Sequence, residues 1–170
     1  MDEHFSNMYD LHGDGIYRFC LMKLSDPEAA RDTVQECFMR FWDTLRKGTS
    51  VGNDRALLFT IARRLVIDRY RVKGRTTSLD ALSESFGFDP PDLALGAENE
   101  AEGARALTLI ARLPEPYRDV LELRFVEGLE PREIAEIIGE NANAVTVRIH
   151  RGIAKLREIL HTTTPQSKSI

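Results

Sequence analysis

The chain has 170 residues and a formal net charge of −4; 42% of its residues are hydrophobic and 29% are charged. This length fits one ordinary domain or two small ones and excludes a large multidomain enzyme. The longest apolar runs have only a few residues, far fewer than the roughly 20 that cross a bilayer, so we expect no membrane insertion. The N-terminus has no basic segment followed by an apolar run, and the chain holds two cysteines, which predicts a cytoplasmic protein without disulfide bonds.

Charge is distributed unevenly along the chain. Residues 54–75 carry a net charge of +5, residues 76–103 carry −7, and residues 144–160 carry +3. Two basic segments separated by an acidic one indicate two surfaces for a polyanion rather than one uniform field.

Residues 1–74 are predicted to form a helical domain. A first helix covers about residues 5–24. In a second helix, over residues 27–45, apolar side chains recur at the spacing of one buried stripe, with Asp26 as a plausible N-cap and Gly48 as a plausible stop. A third helix, from about residue 54 to residue 72, is expected to bury Leu58, Ile61, Ala62 and Leu65, with basic residues on its other faces.

The remaining chain is predicted to be a linker followed by a second helical domain. Residues 75–103 have paired prolines, scattered glycines and serines, strong acidity and no sustained period, which is typical of a flexible linker. Residues 104–160 return to helical periodicity, and residues 161–170 form a short polar tail. The predicted helices of this part are 104–112, 115–126, 131–138 and 143–160. The fold class is therefore all-α, with two small helical domains joined by a flexible acidic linker.

Residues 127–158 have the spacing of a helix-turn-helix, in which a short helix meets a glycine turn at Gly139 and then a longer helix. Asn141 or Asn143 can cap the longer helix. Ile134, Ala135 and Ile138 of the first helix and Val145, Ile149, Ile153 and Leu156 of the second are expected to face inward. The exposed face would carry Asn143, Thr146, Val147, His150 and Arg151, with Arg148 and Lys155 at positions suited to phosphates. The alternative is an ordinary helix pair with a solvated basic face.

Two further sets of side chains in the N-terminal half suggest binding surfaces. The helix over 27–45 has a second face made of Asp32, Gln35, Glu36, Met39 and Asp43, with Trp42 beside it. Acidic faces are ordinarily solvated, but methionine and tryptophan favour a docking surface. The basic third helix also carries Phe59 and Tyr70, a combination suited to single-stranded nucleic acid. The alternative places Phe59 in the core.

No catalytic or metal-binding pattern is present in the sequence. Its four histidines and two cysteines lack the spacing of metal ligands, and neither a glycine-rich phosphate loop nor a nucleophile motif occurs. We therefore expect no enzymatic activity, no metal and no cofactor. Cys20 and Cys37 are interpreted as core thiols, with a redox switch or zinc site as the alternative.

Four sequence blocks occur in a characteristic order. They are DTVQECFMRFW (32–42), FTIARRLVIDRYR (59–71), LPEPYRDVLELRFVEGLEPREIAEIIG (113–139) and AVTVRIHRGIAKLRE (144–158). Together they resemble the extracytoplasmic-function (ECF) sigma factors of the sigma-70 family, from about residue 5 to residue 160. The resemblance implies a sigma factor that directs bacterial RNA polymerase core enzyme to specific promoters and assists DNA opening. Residues 1–74 would be sigma region 2, residues 104–160 sigma region 4, and the linker would occupy the channel that nascent RNA later fills.

The resemblance also implies partners and site residues. Docking on the clamp helices of the largest polymerase subunit would use Asp32, Gln35, Glu36, Met39 and Trp42. The minus-ten DNA element would contact Gly52, Asn53, Asp54, Arg55, Phe59, Arg63 and Arg64. The minus-thirty-five element would contact Arg132, Asn143, Thr146, Val147, Arg148, His150 and Arg151, while region 4 packs on the flap of the second-largest subunit. An anti-sigma factor, often membrane-bound, is a further implied partner.

Some positions depart from the family pattern. Leu57 stands where a tryptophan is common, Arg64 where an asparagine is common, and Glu140 at a turn position that is usually apolar. The recognition helix has Thr146 and Val147 where polar or basic residues are frequent. A stand-alone helix-turn-helix regulator, with residues 1–74 as a dimerisation or sensing domain, is the alternative function.

Overall fold

The computed structural model describes residues 2–48, 51–76 and 100–163, and every regular element in these ranges is helical. The elements are α1 (Asp2–Leu24), α2 (Pro27–Arg46), α3 (Asp54–Thr76), α4 (Glu100–Ala111), α5 (Glu115–Leu121), a π-helical turn (Glu122–Val126), α6 (Pro131–Ile138) and α7 (Ala142–Thr163). The predicted all-α class is therefore confirmed. The chain divides into two compact units, one containing α1 to α3 and the other containing α4, α5, most of α6, and α7.

Several predicted boundaries differ from the structure. Helix α3 continues to Thr76 and α4 begins at Glu100, so both ends of the segment predicted as a linker are helical. The centre of that segment, residues 77–99, lies outside the described residues, as does most of the predicted tail. The helix predicted over 115–126 is α-helical only to Leu121 and then widens, because the Glu127 amide donates to the Glu122 carbonyl at 3.2 Å.

The core of the first unit is aromatic and lies where α1, α2 and α3 pack against one another. Phe19, Phe41 and Phe59 contribute one fully buried ring from each helix, and Phe19 meets Phe59 edge to face at 5.7 Å between ring centroids. Each such side chain stabilises the fold by about 1.5–3 kcal/mol through its removal from water. The three-helix unit therefore has a core of its own.

Local signals fix the ends of α2. Oδ1 of Asp26 accepts hydrogen bonds from the amides of Glu28 at 2.9 Å and Ala29 at 3.1 Å. Asp26 is therefore the N-cap of α2, as predicted. At the other end Gly48 has φ +65, a conformation that glycine adopts without a steric penalty. The positions of these signals explain why α2 runs close to its predicted length.

Both cysteines lie in the core of the first unit, as predicted. The Cys37 thiol donates to the Leu58 carbonyl at 3.4 Å. Burial, and secondarily the proximity of Cys20, raise the pKa of Cys37 to about 12. The reactive thiolate is therefore scarce at neutral pH.

The second unit contains the predicted helix-turn-helix. Ile134 and Ala135 of α6 and Val145 and Ile149 of α7 are buried, while Ile138, Ile153 and Leu156 are half-buried. Gly139, at φ +73, makes the turn, and Oδ1 of Asn141 accepts from the Ala144 amide at 2.8 Å, so Asn141 is the cap of α7. A Cβ at Gly152 would lie 3.0 Å from Cδ1 of Leu121, so glycine lets α7 pack closely on α5.

Candidate functional surfaces

An open groove of about 1180 Å³ runs between α1 and α2 in the first unit. Its floor is aromatic: Phe5 meets Trp42 edge to face at 5.1 Å and Phe38 at 6.0 Å, and Tyr9 lies 4.8 Å from Phe38. The polar side chains that line it are Asp2, Asp10, Asp14, Arg31 and Gln35. The α1–α2 groove therefore combines an apolar floor with a mainly acidic rim.

The predicted docking residues are divided between this groove and the surface next to it. Gln35, Met39 and Trp42 line the groove. Asp32 is exposed on α2 beyond the lining residues, and Glu36 accepts a hydrogen bond from Arg40 at 2.5 Å. Helix α2 thus presents all five residues outside the core, as its periodicity predicts.

Sequence reasoning missed the contribution of α1 to this surface. Tyr9 and Met39, which both line the groove, remain 51% and 63% exposed. Exposed apolar side chains grouped in a groove mark a site of protein interaction, particularly when methionine and aromatic residues are present. The i, i+4 spacing of Phe5 and Tyr9 was the available signal on α1.

The start of α3 carries the first predicted minus-ten residues. Oδ1 of Asn53 accepts from the Ala56 amide at 3.0 Å, which caps α3, and Asp54 is 2.9 Å from Nε2 of His4 on α1. Gly52 is exposed and Arg55 is half-buried. Asn53 and Asp54 therefore also hold the N-terminus of α3 in place.

The prediction that Phe59 contacts DNA is wrong for this structure. Phe59 is 2% exposed and packs on Phe19, because it lies on the same side of α3 as Leu58 and Ala62. A ring buried in this way cannot stack on a base, which supports the alternative core interpretation. The basic residues of α3 remain accessible, since Arg63 is half-buried and Arg64 is exposed.

Helix α7 presents the predicted recognition face. Asn143, Thr146, Val147, His150 and Arg151 are all exposed. Some of these residues also line a shallow cavity of about 370 Å³ that extends to the first turn of α5. Its lining is Pro116, Tyr117, Asn143, Ala144, Val147, Arg148 and Arg151. Arg132 is exposed on α6. The second unit therefore offers a polar, convex helix face of the kind that enters a major groove.

Two cations of α7 have partners within the protein that the sequence did not indicate. Nη2 of Arg148 lies 2.7 Å from each carboxylate oxygen of Glu140, so its guanidinium is paired within the protein. Nζ of Lys155 lies 5.4 Å from the ring centroid of Tyr117, in a cation–π contact. In both cases a neighbouring element, the turn for Arg148 and α5 for Lys155, brings a partner close to the cation.

Within residues 2–48, 51–76 and 100–163, no three His, Cys, Asp or Glu side chains converge in a group that could hold a metal ion. None of the helices described in these ranges is long and apolar enough to cross a membrane.

The described helices define an all-α protein in which α6 and α7 have the arrangement of a helix-turn-helix, a motif of DNA-binding proteins. Two family models match the chain: Sigma-70 region 2 over residues 8–76, and Sigma-70, region 4 over residues 104–156. The ECF RNA polymerase sigma factor SigW of Bacillus subtilis is 31% identical, over 92% of this chain and 88% of its own length. SigK of Mycolicibacterium vanbaalenii, also an ECF sigma factor, is 25% identical over 93% of this chain and 82% of its own.

The chain belongs to the ECF RNA polymerase sigma factors, the promoter-specific factors of transcription initiation. Solved structures share its fold. The sigma factor RpoE of Bartonella quintana, solved with the anti-sigma factor NepR, has a TM-score of 0.71 and 23% identity, covering 95% of this chain and 99% of that one. CnrH, solved with the cytosolic domain of CnrY, has a TM-score of 0.67 and 22% identity. The match covers 96% of this chain and 92% of that one.

Proposed function

We propose that this sigma factor recognises promoters with two weakly basic helical units that act only when docked together on core polymerase. The proposal rests on the combination of two surfaces. An exposed apolar groove suited to protein docking lies in one unit, and a helix-turn-helix lies in the other. A regulator that dimerises through residues 1–74 also needs an exposed surface there, so it is the family matches over both units that favour a polymerase subunit.

Docking would use α2 and the α1–α2 groove. The exposed Met39 and the half-buried Trp42 supply apolar contact area, and the acidic rim of the groove suits a basic partner helix. Such a helix matches the proposed clamp-helix partner on the largest polymerase subunit. Region 4 would pack on the flap of the second-largest subunit.

DNA contacts would come from α3 and α7. Net charges of +5 over residues 54–75 and +3 over residues 144–160 are too small to hold duplex DNA tightly by charge. Once docking fixes the two units, the second contact becomes intramolecular and gains a high effective concentration. The factor would therefore find promoters as part of the holoenzyme and not alone.

Promoter opening would be driven by binding energy, without covalent chemistry by the chain. Unstacking a base costs a few kcal/mol, and contacts to the exposed strand offset that cost. Because Phe59 is in the core, these contacts would come from residues 52–55 and from Arg63 and Arg64. We propose that the chain is a non-catalytic cytoplasmic subunit, held inactive by an anti-sigma factor of the kind bound in the similar solved structures.

Replacement of Arg151 tests the role of α7. Arg151→Ala is expected to weaken binding to the minus-thirty-five element by about 1–3 kcal/mol, because one exposed cation of the recognition face is lost. The measurement is footprinting with reconstituted holoenzyme. Opening of a promoter with a strong minus-ten element should change little.

Arg157→Ala provides the matched control, because Arg157 is exposed on the same helix two turns beyond the recognition face. It should leave the upstream footprint intact. An unchanged upstream footprint with Arg151→Ala itself would contradict the assignment of α7.

A further inference from the structure

The turn of the helix-turn-helix contains an acidic residue that binds a cation of the recognition helix. Nη2 of Arg148 donates to both oxygens of the Glu140 carboxylate at 2.7 Å. The side chains are 27% and 35% exposed, so solvent screens them less than a fully exposed pair. The contact joins the turn before α7 to the second turn of α7.

This ion pair changes which charges α7 presents. Arg148 lines the same cavity as Val147 and Arg151, next to the face proposed to enter the major groove. Arg148 is paired with Glu140 and Lys155 lies over Tyr117. Of these three cations near the reading face, Arg151 is the exposed one.

We propose that Glu140 holds Arg148 away from DNA phosphates and so limits the sequence-independent affinity of α7. The inference rests on the proposed function, since it requires α7 to face DNA. A phosphate must compete with a carboxylate that is already in position within the same unit, where pairing costs no translational entropy. Weak binding by charge alone leaves recognition dependent on docking to polymerase.

A purely structural role for the pair predicts the opposite change in DNA affinity when Glu140 is neutralised. If Glu140 only positioned α7, its neutralisation would loosen the turn and weaken DNA binding. If Glu140 withholds Arg148, neutralisation releases a cation and strengthens DNA binding. The two roles are therefore separable by one titration.

The experiment measures the affinity of the purified full chain for a short mixed-sequence DNA duplex as a function of salt. Glu140→Gln should steepen the slope of log affinity against log salt by about 0.9, the value of one added phosphate contact. Across a fourfold change in salt concentration, the added slope corresponds to about a 3.5-fold further change in affinity. Arg148→Ala should leave the slope unchanged, and the double variant should return it to that of the parent chain.

Two controls make the outcome decisive. Glu158→Gln removes the same charge from an exposed position further along α7 and should leave the slope unchanged. Arg151→Ala should reduce the slope by about 0.9. Circular dichroism of each variant reports whether the helices are intact.

Three results would overturn the inference. Arg148→Ala could reduce the slope as much as Arg151→Ala, which would mean that Arg148 already contacts phosphate. Glu140→Gln could keep its helicity and leave the slope unchanged while Arg151→Ala reduces it, which would leave the proposed function standing. If Arg151→Ala also had no effect, the DNA-facing role of α7 would fail together with the inference.

Discussion

Met39→Asp is expected to weaken binding of core polymerase at least about tenfold, since removal of one anchor residue from an interface centre often costs 2 kcal/mol or more. Met39 is 63% exposed beside the aromatic floor of the α1–α2 groove. An aspartate there would place a charge against the partner and add to an already acidic rim. A titration of labelled core enzyme with the full chain measures the effect.

Leu11→Asp is the matched control for this change. Leu11 is 65% exposed on α1 but does not line the groove, so the same kind of substitution should leave core binding unchanged. Core binding by the Met39 variant at the parental strength would contradict the docking proposal. Gln35→Ala combined with Glu36→Ala should also reduce core binding while helicity is retained.

Phe59→Ala is expected to destabilise the first unit by about 3–5 kcal/mol, because the change removes a fully buried ring that packs on Phe19. That loss is a large part of the free energy of unfolding of a typical domain, which is about 5–15 kcal/mol. Trp42 is the only tryptophan of the chain and lies in this unit, so urea unfolding followed by its fluorescence reports on the unit directly.

Two comparisons separate a core role for Phe59 from a DNA contact. Phe59→Leu retains an apolar side chain and should fold and support promoter opening. Val72→Ala, at a 62% exposed position on the same helix, should shift stability by no more than about 0.5 kcal/mol. A Phe59→Ala variant with unchanged stability but defective opening would restore the stacking role.

The fold was predictable because its signals are local. Apolar periodicity locates the helices, and Asp26 and Asn141 cap α2 and α7 at positions that the sequence indicates. The buried residues of α3 were predicted correctly at Leu58, Ile61, Ala62 and Leu65. Phe59 was assigned to DNA because an aromatic residue beside basic ones suits single-stranded nucleic acid, and a helical pattern alone does not set the width of the buried face.

Features that depend on contacts between elements could not be predicted. The α1–α2 groove exists only because Phe5 and Tyr9 of α1 pack beside Phe38 and Trp42 of α2. The Glu140–Arg148 pair spans eight residues and two elements, outside the i, i+4 spacing that sequence analysis tests. In both cases the tertiary arrangement, and not a residue pattern, brings the groups together.

Fluorescence anisotropy with a promoter fragment that the holoenzyme transcribes tests the dependence on polymerase most directly. The purified chain and the reconstituted holoenzyme are each titrated at a salt concentration of about 0.15 M. We expect the holoenzyme to bind specifically with a dissociation constant of about 10⁻⁸ M or tighter, and the chain alone to show no preference for the promoter over mixed-sequence duplex. Specific binding of comparable strength by the chain alone would contradict the account.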